Sequence, residues 1–67
     1  MIGYEIKETG NAGSVTVFDN EAVYNWVMKI TEDKLEAIEA SSWSELVTVG
    51  EVYIHDDFTI EVVDTEE

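Results

Sequence analysis

The chain has 67 residues, of which 16 are Asp or Glu, three are Lys and none is Arg, so its formal net charge at pH 7 is −13. This charge lies well beyond the magnitude of about 2–8 that suits the solubility of a small domain. Like charges repel one another and weaken a compact state, so we expect a partner to use the negative field. Direct binding of nucleic acid or of an anionic membrane surface is excluded, because too few cations are present to neutralise phosphates.

The length predicts one small acidic domain spanning residues 1–67. A core of this size is only marginally stable, and self-association as a homodimer is one way to support it. The chain has no Cys, which excludes disulfides and Cys-based metal sites. No apolar run reaches the about 18–20 residues of a membrane span, and the N-terminus lacks a secretion signal. We therefore expect a cytoplasmic protein.

The first third of the chain predicts a hairpin and then a helix. Apolar and polar side chains alternate over residues 3–8 and 14–18, and two glycines lie in the connecting run. Asp19 or Asn20 can cap the helix that follows. Its apolar positions form one broad face that we expect to be the centre of the core. These positions are Ala22, Val23, Trp26, Val27 and Ile30.

A second helix is predicted from a Thr31 cap to about Ala40, with Leu35 and Ile38 pointing inward. We expect the two serines that follow to interrupt it. The four residues that begin at the second serine, Ser42-Trp43-Ser44-Glu45, match the capping box of a third short helix, which Gly50 would end in a left-handed conformation. An extended conformation over residues 46–49 stays open, because short apolar runs do not separate the two structures.

Two further strands are predicted over residues 51–55 and 58–63, where apolar and polar side chains alternate. Val52 and Ile54 are the apolar positions of the first of these strands. Asp56-Asp57 lies between the strands as a two-residue turn, with a slightly longer loop as the alternative. This segment predicts a second hairpin.

The order of elements predicts an α+β fold. An antiparallel sheet of about four strands, in the order β-β-α-α-(α)-β-β, carries a helical layer on one face. Residues 64–67 are expected to form a frayed acidic tail. Each half of the sheet is a hairpin, and the helices lie between the halves in sequence.

Residues with catalytic or metal-binding chemistry are few. His55 is the only His. It lies beside two Asp, but neighbouring strand residues point to opposite faces, and a metal ion needs three or four convergent ligands. The glycine-containing loop joins two strands in a field that repels phosphate, so we interpret it as a hairpin loop. We expect no enzyme activity, no metal and no cofactor.

The carboxylates of the second helix are the leading candidates for a function. Residues three and four apart on a helix lie about 5–6 Å from each other, so Glu32, Glu36 and Glu39 form a row of negative charge. Asp33 widens this row, and Asp56-Asp57 extends it where the fold brings the turn close. Such a row can occupy a groove built for nucleic acid.

We therefore expect an inhibitor that binds a basic nucleic-acid-binding protein by mimicking the DNA or RNA phosphate backbone. Small phage-encoded or mobile-element-encoded inhibitors of restriction and CRISPR systems are similar in size and composition, although no family motif is matched. The alternative is a non-catalytic adaptor that binds a partner through Tyr24, Met28 and Trp43, because aromatic residues and Met are enriched at interfaces. A positively charged protein is the partner in the first case, and an apolar surface is the partner in the second.

Overall fold

The computed structural model describes residues 1–65, which form one four-stranded antiparallel sheet with two helices packed on one face. The predicted α+β class and the order of its strands and first two helices are confirmed. The elements are β1 (Ile2–Glu8), β2 (Ser14–Val17), α1 (Asn20–Thr31), α2 (Lys34–Ser44), β3 (Val52–Ile54) and β4 (Phe58–Asp64). The sheet order β2-β1-β4-β3 places the first and last strands side by side at the centre. Neither helix within residues 1–65 is long and apolar enough to cross a membrane.

The core lies between the two helices and the inner face of β1 and β4. Ile6 of β1 and Ile60 of β4 are paired across the centre of the sheet. Because alternate side chains of a strand point to opposite faces, both of these side chains point to the helices. Trp26, which we expected in the core, is half-buried and packs against its edge. The core cluster consists of Ile6, Val23, Val27, Ala37, Ala40, Phe58 and Ile60.

Helix α1 begins at the predicted cap. The Asp19 carboxylate accepts a hydrogen bond of 2.7 Å from the N–H of Ala22, which satisfies one of the free donors of the first turn. The helix ends at Glu32, which adopts the left-handed conformation with φ 56° and donates its N–H to the carbonyl of Met28. The chain turns sharply there, and α2 starts two residues later.

The predicted Thr31 cap of α2 is wrong, because Thr31 is still the last residue of α1. Its hydroxyl donates to the Val27 carbonyl at 2.8 Å and accepts from the N–H of Asp33 at 3.1 Å. Asp33 is the cap, since its Oδ1 accepts from the N–H groups of Leu35 and Glu36. The left-handed Glu32 lies between the end of α1 at Thr31 and the cap of α2 at Asp33.

Helix α2 runs through the two serines that we expected to interrupt it. Ser41 Oγ donates to the carbonyl of Asn20, and Ser44 Oγ donates to the carbonyl of Ser41 at 2.7 Å. Asn20 also donates from its side chain to Ser44 Oγ. These bonds tie the end of α2 to the start of α1. The predicted third helix is wrong, and residues 45–51 connect α2 to β3 without belonging to a helix or a strand.

The inward face of α2 differs from the predicted one. Leu35 and Ile38 are 78% and 45% exposed, whereas Ala37, Ala40 and Ser44 are buried. The small side chains let α2 approach its neighbours closely, and a Leu at any of these positions would overfill the space. The larger apolar residues of α2 are consequently on the outside.

Strand β3 also presents an unexpected face to the core. Tyr53 pairs with Ile60 and is half-buried, while Val52 and Ile54 are exposed on the opposite face. The adjoining turn is the predicted one. It is closed by a 2.9 Å bond from the His55 N–H to the Phe58 carbonyl.

The end of the described chain is more ordered than the predicted frayed tail. Asp64 is the last residue of β4 and pairs with Ile2. Thr65 donates its N–H to the carbonyl of Met1 at 2.9 Å, and the Met1 ammonium lies 3.4 Å from an Asp64 carboxylate oxygen. The remainder of the predicted tail, residues 66 and 67, lies outside the described residues.

Candidate partner-binding surface

The carboxylates are almost all exposed and lack cationic partners. Within residues 1–65, every Asp and Glu except Glu5 and Glu36 is exposed. The ion pairs in this part of the chain involve the terminal ammonium and His55, and none involves a Lys. Lys29 instead lies over the ring of Trp26, with its Nζ 4.7 Å from the ring centroid. The negative field is therefore directed into the solvent with little internal compensation.

The fold brings together the two acidic segments that were predicted separately. His55 Nε2 lies 3.5 Å from Glu36 Oε1, and His55 Nδ1 lies 4.0 Å from Asp57 Oδ2. The Asp57 N–H also donates to Nδ1 at 3.0 Å, so in the neutral imidazole the proton is on Nε2 and faces Glu36. The turn between β3 and β4 is thus held against the first half of α2.

The end of β1 joins the same region. The Thr9 N–H donates to the Asp57 carbonyl at 2.9 Å, and Glu8 pairs with Phe58. Glu8 was not predicted from the sequence, because only the central pairing of β1 with β4 places it beside the turn. We call the following residues the acidic patch: Glu8, Glu32, Asp33, Glu36, Glu39, Asp56 and Asp57.

Glu36 differs from the other carboxylates of the acidic patch because it is anchored. Its side chain is only 17% exposed and accepts a hydrogen bond from the Tyr53 hydroxyl at 2.5 Å. Burial above all, and then the bond to Glu36, raises the pKa of the Tyr53 phenol. The Tyr53 ring lies 5.2 Å from that of Trp43 and 5.9 Å from that of Phe58. Glu36 therefore connects α2 to the sheet, and its charge is the least available to a partner.

The predicted row of Glu32, Glu36 and Glu39 along one helix is wrong, because Glu32 ends α1 in the left-handed conformation and only the other two lie on α2. Asp33 caps the N-terminus of α2, and Glu32, Glu39 and the two turn residues are exposed. The predicted apolar anchors Tyr24, Met28 and Trp43 are half-buried and pack against the core. Most of their apolar surface is therefore engaged within the domain. The apolar residues that are exposed to solvent are different ones.

The exposed apolar residues near α2 are Leu35, Ile38 and Leu46, and Leu46 is 85% exposed. Sequence reasoning assigned the first two to the core because large apolar residues are normally buried. The spacing of Ala37, Ala40 and Ser44 was the available signal, since small residues three and four apart form a face suited to close packing. The chain therefore carries an apolar surface that the periodicity did not reveal.

The cavities and the groups of potential metal ligands in residues 1–65 indicate no specific reaction or metal site. An open cleft of about 200 Å³ lies between α1 and the first hairpin, and Trp26 and Ile30 line it together with Ile6, Glu8 and Val15. Within residues 1–65, no group of three His, Asp or Glu side chains is placed to hold a metal ion. Comparison of the chain with protein-family models, curated proteins and solved structures gave no match. The surface itself is thus the basis for a functional proposal.

Proposed function

We propose that the protein is a non-enzymatic inhibitor that binds a basic nucleic-acid-binding protein by presenting carboxylates in place of backbone phosphates. The observation that carries the proposal is the exposure of nearly all carboxylates of residues 1–65 without Lys partners. An internally paired surface would be locally neutral. On this surface, a partner rich in Lys and Arg supplies the positive charges that pair with the exposed carboxylates.

The acidic patch gives this field a location. On α2 the two carboxylates Glu36 and Glu39 are one helical turn apart, about 5–6 Å, a spacing comparable to that of successive phosphates along a strand, and Glu32 and Asp33 lie at the turn that precedes the helix. The contact of His55 with Glu36 and the hydrogen bond from the Asp57 N–H to His55 hold the Asp56-Asp57 turn beside α2. A preorganised surface loses less conformational entropy on binding than flexible side chains do. The arrangement therefore favours binding of a groove that normally accepts nucleic acid.

The proposal has consequences for kinetics and cellular context. Electrostatic steering accelerates association, and salt weakens it steeply. An inhibitor of restriction, CRISPR or related DNA-processing machinery, carried by a phage or another mobile element, fits this chemistry and would act in the cytoplasm. The nucleic acid of the target is displaced and is not itself bound.

The test is capture of partners from a bacterial lysate at low salt, followed by elution with a salt gradient and competition with duplex DNA. We expect the retained proteins to be nucleic-acid-binding proteins that salt and DNA both release. A single partner retained through high salt and indifferent to DNA would contradict mimicry and favour the adaptor alternative. Retention of no nucleic-acid-binding protein would also contradict the proposal.

Charge reversal then locates the surface on the captured partner. The double variant Glu32→Lys/Glu39→Lys should weaken binding at low salt by about tenfold or more, because it places like charges against a basic groove. Glu21→Lys/Glu61→Lys is the matched control, since it changes the net charge equally at exposed positions outside the acidic patch. Equal losses in both variants would show that total charge acts and that the acidic patch does not.

A further inference from the structure

The outer side of α2 is an exposed apolar surface. Leu35 is 78% exposed, Ile38 is 45% exposed, and Leu46, which follows the end of the helix, is 85% exposed. Leu46 continues the helical path, because Glu45 keeps a right-handed helical conformation and the Leu46 N–H donates to the Trp43 carbonyl at 3.0 Å. We call Leu35, Ile38 and Leu46 the α2 apolar face.

These side chains lie on one side of the helix. Leu35 and Ile38 are three residues apart, about 60° around the helix axis, and eleven residues separate Leu35 from Leu46, close to three full turns. The opposite side carries the buried Ala37 and Ala40. Single exposed apolar residues are ordinary, whereas several on one face with a polar border indicate an interaction surface.

The border of the α2 apolar face determines which partner fits. The exposed acids Asp33, Glu39 and Glu45 lie on or next to α2, and Lys34 is the single cation between positions 33 and 46. A second copy of the chain would bring another net charge of −13 against this border. A cationic partner avoids that repulsion and gains countercharges.

We propose that the α2 apolar face binds an amphipathic helix of the target, with apolar residues along one side and Lys or Arg along their border. The inference rests on the proposed function for the basic character of the target. A helix is the matching element because Leu35, Ile38 and Leu46 follow one another at three and eight residues along one side of α2, where the apolar side of an amphipathic helix can pack. Apolar contact adds affinity that is retained at high salt, where pairing between exposed charges is screened.

The test uses the intact protein and two peptides of about 18 residues made of Leu, Ala and Lys. The first peptide has its Leu residues on one helical face, and the second is a scramble of the same composition and charge. Titration is followed by calorimetry and by amide chemical shifts, at about 0.15 M salt and again near 1 M. We expect the amphipathic peptide to bind about tenfold more tightly than the scramble, with shifts over residues 34–46 and binding retained at high salt.

Variants assign the contact. Leu35→Asn/Leu46→Asn should lower the affinity for the amphipathic peptide roughly tenfold, because two apolar side chains lose their buried contacts. Ile54→Asn is the matched control, since it removes an equally exposed apolar side chain, 79% exposed, from β3. Thermal melts of the unaltered protein and the two variants show whether the fold is retained. We expect little change in melting temperature, because the substituted positions are exposed.

Four outcomes separate this inference from the proposed function. Equal binding of both peptides, abolished by salt, would overturn the inference and leave phosphate mimicry standing. Self-association through the same face, seen as a concentration-dependent mass that Leu35→Asn/Leu46→Asn abolishes, would also overturn it. Selective peptide binding, together with a captured target that is indifferent to reversal of the acidic patch, would support the inference and overturn mimicry. Selective binding that survives Leu35→Asn/Leu46→Asn would overturn the assignment to α2.

Discussion

Removal of the Tyr53 hydroxyl tests the connection between α2 and the sheet. A hydrogen bond to a charged group contributes about 1.5–3 kcal/mol, and we expect Tyr53→Phe to cost about 1.5 kcal/mol, the lower end, because water can reach a carboxylate that is 17% exposed. For a domain of this length, that loss lowers the melting temperature by about 10 °C. The measurement is urea and thermal unfolding at neutral pH, followed by circular dichroism.

Tyr24→Phe is the control for this prediction. Within residues 1–65 the Tyr24 hydroxyl has no hydrogen-bond partner in the protein, and its ring is similarly half-buried against the core. The ring and its packing are retained in both variants, so only the lost bond differs. If Tyr53→Phe were as stable as Tyr24→Phe, the contact with Glu36 would not be a stabilising one.

The same pair predicts a pH dependence with a defined sign. The phenol of the unfolded chain ionises near pH 10, whereas burial and the bond to Glu36 raise the pKa of Tyr53 in the folded state. Above about pH 10 the unfolded state therefore binds fewer protons than the native state, and stability falls as pH rises. Below that pH the contribution is fully present. Unfolding free energies measured from neutral to strongly alkaline pH should fall less steeply for Tyr53→Phe than for Tyr24→Phe, and parallel curves would refute the assignment.

Two further predictions concern the junction of the helices, each with a control that removes the same charge. Asp33→Ala should lower the free energy of unfolding by about 1 kcal/mol relative to Asp56→Ala, because only the first variant removes a helix cap; equal urea midpoints would contradict that role. Glu32→Gly should be about 0.5–1 kcal/mol more stable than Glu32→Gln, since Gly adopts the positive φ at this position without steric strain. A Gln variant as stable as the Gly variant would show that the left-handed conformation carries no strain.

The strands and the first helix could be predicted from the sequence, because local signals determine them. Alternation of side chains defined the two hairpins, and Asp19 preceded a clear apolar stripe. Glu32 was harder to interpret, since a non-glycine residue in the left-handed conformation has no reliable local signal. Thr31 was predicted as the cap of α2, and the position of that left-handed residue makes Asp33 the cap instead.

The faces of α2 and β3 could not be predicted, because close packing determines them. Hydrophobicity placed Leu35 inside, but the space beside α1 accommodates only small side chains such as Ala37. On β3, the amphipathic Tyr53 and the adjoining His55 occupy the inner side, where each polar group reaches Glu36. The two acidic segments were identified as candidates, but their contact depends on the strand order, which hydrophobic patterns do not encode.

The central pairing of β1 with β4 has a consequence for how the chain folds during synthesis. The register joins Ile2 to Asp64, so the middle of the sheet forms from segments at opposite ends of the described chain. A nascent chain can form its first hairpin and α1 early, but Ile6 and the inner edge of β1 stay uncovered until β4 leaves the ribosome. Such non-local pairing slows folding and exposes an unpaired strand edge. The strong like charge of the chain opposes association at that edge, because nascent copies repel one another.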